Sequence, residues 1–283
     1  MNIDAPNILN KLRLLGQLNV DPTLGYASVE YTKDTEIIYI PPESKSIILH
    51  ECIVPRNLIV VGGSGLNTLA TTFSYNTYKE IDLRYFETSN VTSMISTFND
   101  CTADSVDLSG LDLSKIEDMT RMFDRAKIGK VNISNNTCRN VKCMSCMFFG
   151  ASIDELTIGN FNTSGCGLFS GMFKLFETKG NLDFSKFDTK NALDMQAMFS
   201  DAHVNKLDLR GFEFTKLHNI KHMFYGVQTN EINLDSPGWD LKDDVLTSQM
   251  FNGIKDEILV CPKEYEVINR AWWRRHKYND FSK

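Results

Sequence analysis

No stretch of this 283-residue sequence reaches the roughly 18 consecutive apolar residues that a membrane-crossing helix needs, so no membrane span is expected. Charge of one sign is in short supply too. The net charge is only −6, which argues against a protein that grips nucleic acid through its phosphates, and direct nucleic-acid binding is not expected. The seven cysteines are few and odd in number, in a chain long enough to bury a core without bridges. They read as thiols in a reducing compartment rather than as a disulfide framework. Signatures of catalysis are missing as well. There is no GxSxG and no Walker loop, and Gly62-Gly63-Ser64-Gly65 lacks the Lys-Ser/Thr that would follow in a phosphate cradle, so it reads as a turn. No enzymatic activity, cofactor or metal is expected.

At the start of the chain, Ile8, Leu9, Leu12, Leu15 and Leu18 are interrupted by Asn10, Lys11 and Arg13. That pattern suits an amphipathic helix and lacks the unbroken apolar region of a signal peptide. A cytoplasmic location is the expectation, with the cell surface as the alternative if an export leader lies outside this sequence. With 42% apolar and 23% charged residues, the composition is that of a globular chain.

What the sequence does have is methionine and phenylalanine, eleven and eighteen of them. Phe73, Phe98, Phe123, Phe148, Phe173, Phe199, Phe224 and Phe251 recur at intervals of 25 residues, stretched to 26 and 27 at two places. A repeat of that length is the mark of a solenoid. Met122, Met147, Met172, Met198, Met223 and Met250 stand immediately before the Phe, and Met94, Met119, Met144, Phe169, Met195 and Ile220 stand four before it. These positions share one face of a short helix, so each unit is expected to carry a helical turn with its Met and Phe inward. Because Met shares its columns with Ile and Phe, it reads as core filling rather than a ligand ladder.

About eight to ten residues after the Phe, an apolar–polar–apolar triplet recurs: Ile81-Asp82-Leu83, Val106-Asp107-Leu108, Val131-Asn132-Ile133, Leu182-Asp183-Phe184 and Leu207-Asp208-Leu209, with the all-apolar Ile258-Leu259-Val260 closing the series. Alternation of this kind is a half-buried strand. One unit is therefore strand, corner, short helix, return. The fold expected is an α/β solenoid, a right-handed leucine-rich-repeat-like stack of about eight 25-residue units with a parallel sheet and capped ends. Residues 1–68 are assigned to an N-terminal helix and β-rich cap, with apolar runs at Glu36–Ile40, Ser46–Leu49 and Leu58–Val61. The repeats fill 69–260. Residues 261–283 form a C-terminal cap, a helix from Pro262 to about Arg275 and a basic tail.

The segments Ile81–Met94 and Leu182–Asn191, each followed by its Phe, resemble the 25-residue repeats of BspA-like leucine-rich-repeat proteins, which occur in mycoplasmal lipoproteins and bacterial surface proteins. The likeness runs over residues 69–260 and also takes in the end of the array with Trp272-Trp273. It implies a leucine-rich-repeat-like solenoid with a binding or adhesion role.

Several candidate sites follow. Asp82, Asp107, Asp183 and Asp208 stack in one outward column, with Arg84 and Arg210 beside them. This polar strand face is the first candidate for holding a partner, although the same Asp could simply hydrogen-bond neighbouring turns. Trp272, Trp273, Arg274 and Arg275 mix aromatic and cationic groups as interfaces do, or else close the open end. Cys143 and Cys146 form a single CxxC without the second pair that a zinc site wants, and His218 and His222 are four apart without a third ligand. The function expected is a non-enzymatic macromolecule-binding solenoid with a protein partner. The alternatives are an intracellular phage or mobile-element inhibitor that blocks a nucleic-acid-binding protein with its acidic columns, and an exported surface adhesin.

Overall fold

The computed structural model describes residues 19–21, 26–32, 34–49, 57–134, 136, 138–235, 239, 241 and 244–260. Within them the repeats stack as a parallel β-solenoid of about eight turns. One sheet carries β1 (Asn19–Asp21), β2 (Tyr26–Thr32), β3 (Thr35–Ile40), β4 (Asn57–Gly62), β5 (Glu80–Phe86), β6 (Thr102–Asp107), β7 (Lys127–Asn132) and β8 (Ser152–Thr157) in chain order. A second carries β9 (Asn181–Asp183), β10 (Lys206–Asp208), β11 (Glu231–Asn233) and β12 (Leu259–Val260). The β1–β2 and β2–β3 pairs are antiparallel and the other described pairs are parallel.

The register is that of the repeat. Ile81, Val106, Val131 and Leu156 align across the first sheet, and Leu182, Leu207 and Ile232 across the second. At the end of the array it slips by one. Leu259 rather than Ile258 lies opposite Ile232, because Asp256–Ile258 is a 3-10 turn. The interruption between β8 and β9 has a local cause. Ser152, Glu177 and His203 are bridged in sequence, yet the chain from Glu177 to Leu182 is one residue longer than that from Ser152 to Leu156. The extra residue, in Thr178-Lys179-Gly180, accounts for the 26-residue interval.

The short helices expected around each Phe are not formed, so the α/β class is corrected to an all-β solenoid. Residues two before and two after each Phe have positive φ in all eight rungs, from Thr71 and Tyr75 to Gln249 and Gly253. A right-handed helix has no place for them. The segment is a run of tight turns instead. In the third rung Met122, Asp124 and Ala126 donate their N–H to Met119, Arg121 and Phe123, three residues back. The alternate N–H groups, on Met119, Arg121, Phe123 and Arg125, donate to Cys143, Ser145, Met147 and Phe149 of the next rung at 2.7–3.1 Å. Helical bonding would use those donors internally, whereas the turns leave half of them for the neighbour and none unpaired. Met and Phe at the same spacing still face inward, which is why the sequence pattern looks helical.

The result is an aromatic ladder. Phe73, Phe98, Phe123, Phe148 and Phe173 stack face to face with centroids 5.0–5.1 Å apart, and Phe199, Phe224 and Phe251 continue it at 5.3–5.9 Å. The rung spacing of a parallel sheet, about 4.8 Å, sets this distance. A second stack forms at the corner, where Trp239 lies on Phe212 at 5.9 Å and its Nε1 donates to Leu209 O. The sequence reading has no role for Trp239. It follows, by two residues in sequence, Pro237, which breaks the apolar column and lies outside the described residues. Asn136, which also breaks that column, is buried and donates to Ile133 O.

At the N-terminal end β3 and β4 extend the sheet, while Ser46–Leu49 is not a strand. Ile47 and Leu49 are buried there, and Leu49 N–H donates to Thr72 O. The expected helices at Ile8–Leu18 and Pro262–Arg275 lie outside the described residues.

Positive φ costs a non-glycine residue about 1–2 kcal/mol. Leu175 has φ 58 and an exposed side chain, so little packing offsets that cost. Leu175→Gly is expected to raise the melting temperature by a few degrees, as measured by circular dichroism, after the entropy of the more flexible unfolded chain is taken off.

Candidate functional site

The strand face acquires a cleft at one place. Between β4 and β5 the register shifts, since Ile59 opposes Asp82 but Val61 opposes Tyr85, leaving one extra residue in β5. Such a bulge bends and twists its strand. On its other edge β5 pairs with β6 only at Glu80↔Ser105 and Ile81↔Val106, whereas β6, β7 and β8 remain paired through Asp107, Asn132 and Thr157. The two strands part, and a cleft of about 400 Å³ opens, lined by Glu80, Asp82 and Arg84 on one wall and Ser105, Asp107 and Ser109 on the other.

Arg84 is the most prominent group of this cleft. Its Nε donates to Asp82 Oδ1 at 2.9 Å and its Nη2 to Asp82 Oδ2 at 2.6 Å, a bidentate pair that fixes the guanidinium plane. The Asp82 side chain is 22% exposed and that of Arg84 67%, so the carboxylate serves as the base and the guanidinium as the exposed surface. The Arg84 Cζ also lies 5.8 Å from the ring centroid of Tyr85, which packs against Ile37, Ile59 and Val61 on the outer face of the sheet. Burial alone would push the Asp82 carboxyl up, but the Arg84 side-chain and backbone N–H groups and the guanidinium charge together hold it below the usual carboxylate range.

The columns of Asp have a first task in the backbone. Asp82, Asp107, Asp183 and Asp208 each accept the N–H two residues on, from Arg84, Ser109, Ser185 and Arg210, and Asn132 and Asn233 do the same. A short acceptor that holds the turn leaving each strand explains the column without a partner. Two of these carboxylates are also ion-paired. Arg210 pairs with Asp208 at 2.5 Å, as Arg84 does with Asp82, and its hydrogen bonds hold the Asp208 carboxyl below the usual range. Lys130–Glu155, Lys142–Glu117, Lys190–Glu213 and Lys206–Glu231 join successive rungs at 3.0–3.4 Å. The strand face therefore carries mixed charge, with Lys130–Glu155 and Lys206–Glu231 running along it beside the Asp column.

Of the residues singled out in the sequence, Asp82, Arg84 and Asp107 are brought together at the cleft. Asp183, Asp208 and Arg210 lie on the second sheet, and Trp272, Trp273, Arg274 and Arg275 lie outside the described residues. His218 and His222 do not share a helical face, since His222 sits in a turn at φ 56. Cys143 occupies the position of Asp118 and Asp194, where its Sγ lies 3.1 Å from Thr120 Oγ1. Cys101, Cys138 and Cys166 are core thiols, and burial pushes each up to about 12. Among the described residues no three His, Cys, Asp or Glu side chains are grouped as metal ligands, and no helix is long and apolar enough to cross a membrane.

Sequence reasoning missed the buried carboxylate of Asp124, which follows Phe123 where other rungs have Ser74, Asn99 and Ser200. Desolvation pushes its pKa up from the ordinary 3.8, and Arg125 and Arg121 only partly oppose this. A carboxyl raised in the folded state binds its proton more tightly there, so its contribution to stability is lost as pH rises through the carboxylate range. Asp124→Asn should therefore match the wild type near pH 3 and melt higher at about pH 7, read from thermal denaturation across that range.

A family model described as a Mycoplasma protein of unknown function, DUF285, matches residues 63–155 and, in tandem, residues 150–258. The comparisons with curated proteins and with solved structures return no match.

Proposed function

The chain belongs to the DUF285 family of Mycoplasma proteins of unknown function, and from that premise we propose that it is a non-enzymatic solenoid that binds another protein, with the β5–β6 cleft at the centre of the contact. The observation that carries this reading is Arg84. It is an exposed guanidinium held rigid by a bidentate carboxylate and an aromatic ring, at the rim of the place where the sheet opens. Arginine of this kind loses little freedom on binding and is enriched among the residues that dominate interfaces. Asp107, Ser105 and Ser109 supply acceptors and hydroxyl groups across the cleft.

The likeness of the repeats to BspA-like leucine-rich-repeat proteins supports the same role. Asp183, Asp208 and Arg210 extend the polar face into the second sheet as secondary contacts. The reading holds for the cytoplasmic location and for the cell surface alike. The alternative of an acidic mimic is weakened by Arg84 and Arg210, which pair with two of the four carboxylates of the Asp column, and by the Lys130–Glu155 and Lys206–Glu231 pairs beside it.

The test is affinity capture with the full chain from an extract of the organism that makes it, read by quantitative mass spectrometry. A partner retained by the wild type should be lost, by about tenfold or more, from Arg84→Glu combined with Asp107→Lys, and weakened much less by Arg210→Glu. Equal retention by the cleft variant and the wild type would remove the cleft as the site.

A further inference from the structure

A second depression, of about 240 Å³, lies on the turn side of the later rungs and involves none of the strand-face residues. Its origin is a change in one column. The position two before the Phe holds Arg121 and Cys146 in the third and fourth rungs, falls to Gly171 and Ala197 in the next two, and rises again at His222. Lys174 stands on one side of the resulting hollow and Tyr225 on the other. Gly226 matters here as well. At φ 62 a Cβ on it would come 2.5 Å from Asp201 Oδ1, so only the missing side chain leaves that carboxylate its place.

The polar groups of the hollow are arranged by their neighbours. Asp201 Oδ2 accepts from the buried Ser200 hydroxyl at 2.8 Å. Gln196 Oε1 accepts from Asn219 Nδ2 at 2.9 Å, and Gln249 Oε1 lies 3.2 Å from His222 Nε2, which must be the donor because an amide oxygen only accepts. With their oxygens engaged, both glutamines offer their amide N–H₂ groups, and no hydrogen bond or ion pair among the described residues engages those groups or the Lys174 ammonium. Tyr225 is 37% exposed and is held edge-on against the His222 ring at 5.8 Å.

We infer that this hollow binds a sugar ring. It combines three sets of N–H donors, one carboxylate acceptor and one exposed aromatic ring around a volume suited to a single hexose. A simple anion would meet the Asp201 carboxylate and a simple cation the Lys174 ammonium, while an apolar ligand would leave the Lys174 ammonium and the two glutamine N–H₂ groups without partners. A polyhydroxylated ring suits the mixture, since each hydroxyl both donates and accepts and the C–H face of the ring packs on an aromatic side chain. The site is independent of the protein contact proposed above. Because it is open and takes one ring, its affinity belongs in the millimolar range, on the order of 1 mM.

The test is saturation-transfer difference NMR on the full chain with glucose, galactose and N-acetylglucosamine, each in separate samples. Transfer to at least one sugar is expected from the wild type and from Arg84→Glu. It should disappear with Tyr225→Ala and fall by about tenfold with Gln196→Ala, whose exposed side chain can be removed without touching the core. No transfer to any of the three sugars would overturn the proposal, as would undiminished transfer in both variants once circular dichroism shows them folded. Inorganic phosphate shifting the amide resonances of Lys174 and Gln196, with no response to sugar, would overturn it in favour of an anion site.

Discussion

Phe148→Ala is expected to destabilise the protein by about 3–5 kcal/mol. The ring is fully buried and stacks on Phe123 at 5.1 Å and on Phe173 at 5.0 Å, with the edge of Phe176 at 6.1 Å. Truncation therefore removes contacts to both neighbouring rungs as well as the transfer free energy of the ring. The hollow cannot close easily, since the spacing of the rungs is held by the backbone bonds of Phe148 and Gly150 to Met172 and Lys174. In a linear stack each rung is stabilised only by the adjacent ones, so weakening the fourth should also loosen the coupling between the two ends. Urea denaturation followed by circular dichroism should show the loss, and the single transition should broaden or split. A change below about 1 kcal/mol would mean that the aromatic ladder is incidental to stability. Phe148→Leu, which keeps most of the volume, should cost much less.

Gly165→Ala is the second large effect, and it tests the backbone rather than the core. A Cβ at this corner would stand 2.0 Å from Arg139 O, 3.0 Å from Arg139 C and 3.2 Å from Val141 O, all backbone atoms of the preceding rung. Nothing flexible can yield there, so two rungs must separate at that corner. The cost expected is about 3 kcal/mol, at or beyond the upper end for overpacking. Gly110→Ala is the internal control, because nothing lies within 4 Å of the Cβ it would add. That variant should be neutral or stabilised by up to about 1 kcal/mol through the unfolded chain. Paired melting curves read both. Equal behaviour of the two variants would show that the corner at Gly165 is soft.

The two clefts arise from two different departures from the repeat. At the β5–β6 cleft an extra residue in β5 shifts the pairing and releases the strand beyond Ile81 from its neighbour. On the turn side, the backbone keeps its register and the side chains shrink to Gly171 and Ala197 while their neighbours remain large. In both, a regular array gains a concave place only where it is broken, which fits the general tendency of bulges and small-residue positions to mark functional surface.

The sequence by itself determined the period, the eight rungs, the inward columns and the parallel register, because a 25-residue interval repeated in phase leaves few ways to bury Met and Phe together. It also singled out Asp82, Arg84 and Asp107. Only the tertiary structure decided between helix and turn around each Phe. Positions four before, one before and at the Phe face inward in either conformation, and the choice rests on whether alternate N–H groups bond within the unit or to the next rung. It likewise decided what the acidic columns do. A sequence shows Asp in line with Asp, while the fold shows each one accepting the N–H two residues on, Asp82 and Asp208 paired with the Arg of their own rung, and Lys reaching Glu in the adjacent rung beside them. The mild charge that first set nucleic acid aside becomes, in the folded stack, a surface of paired charges opened at two places.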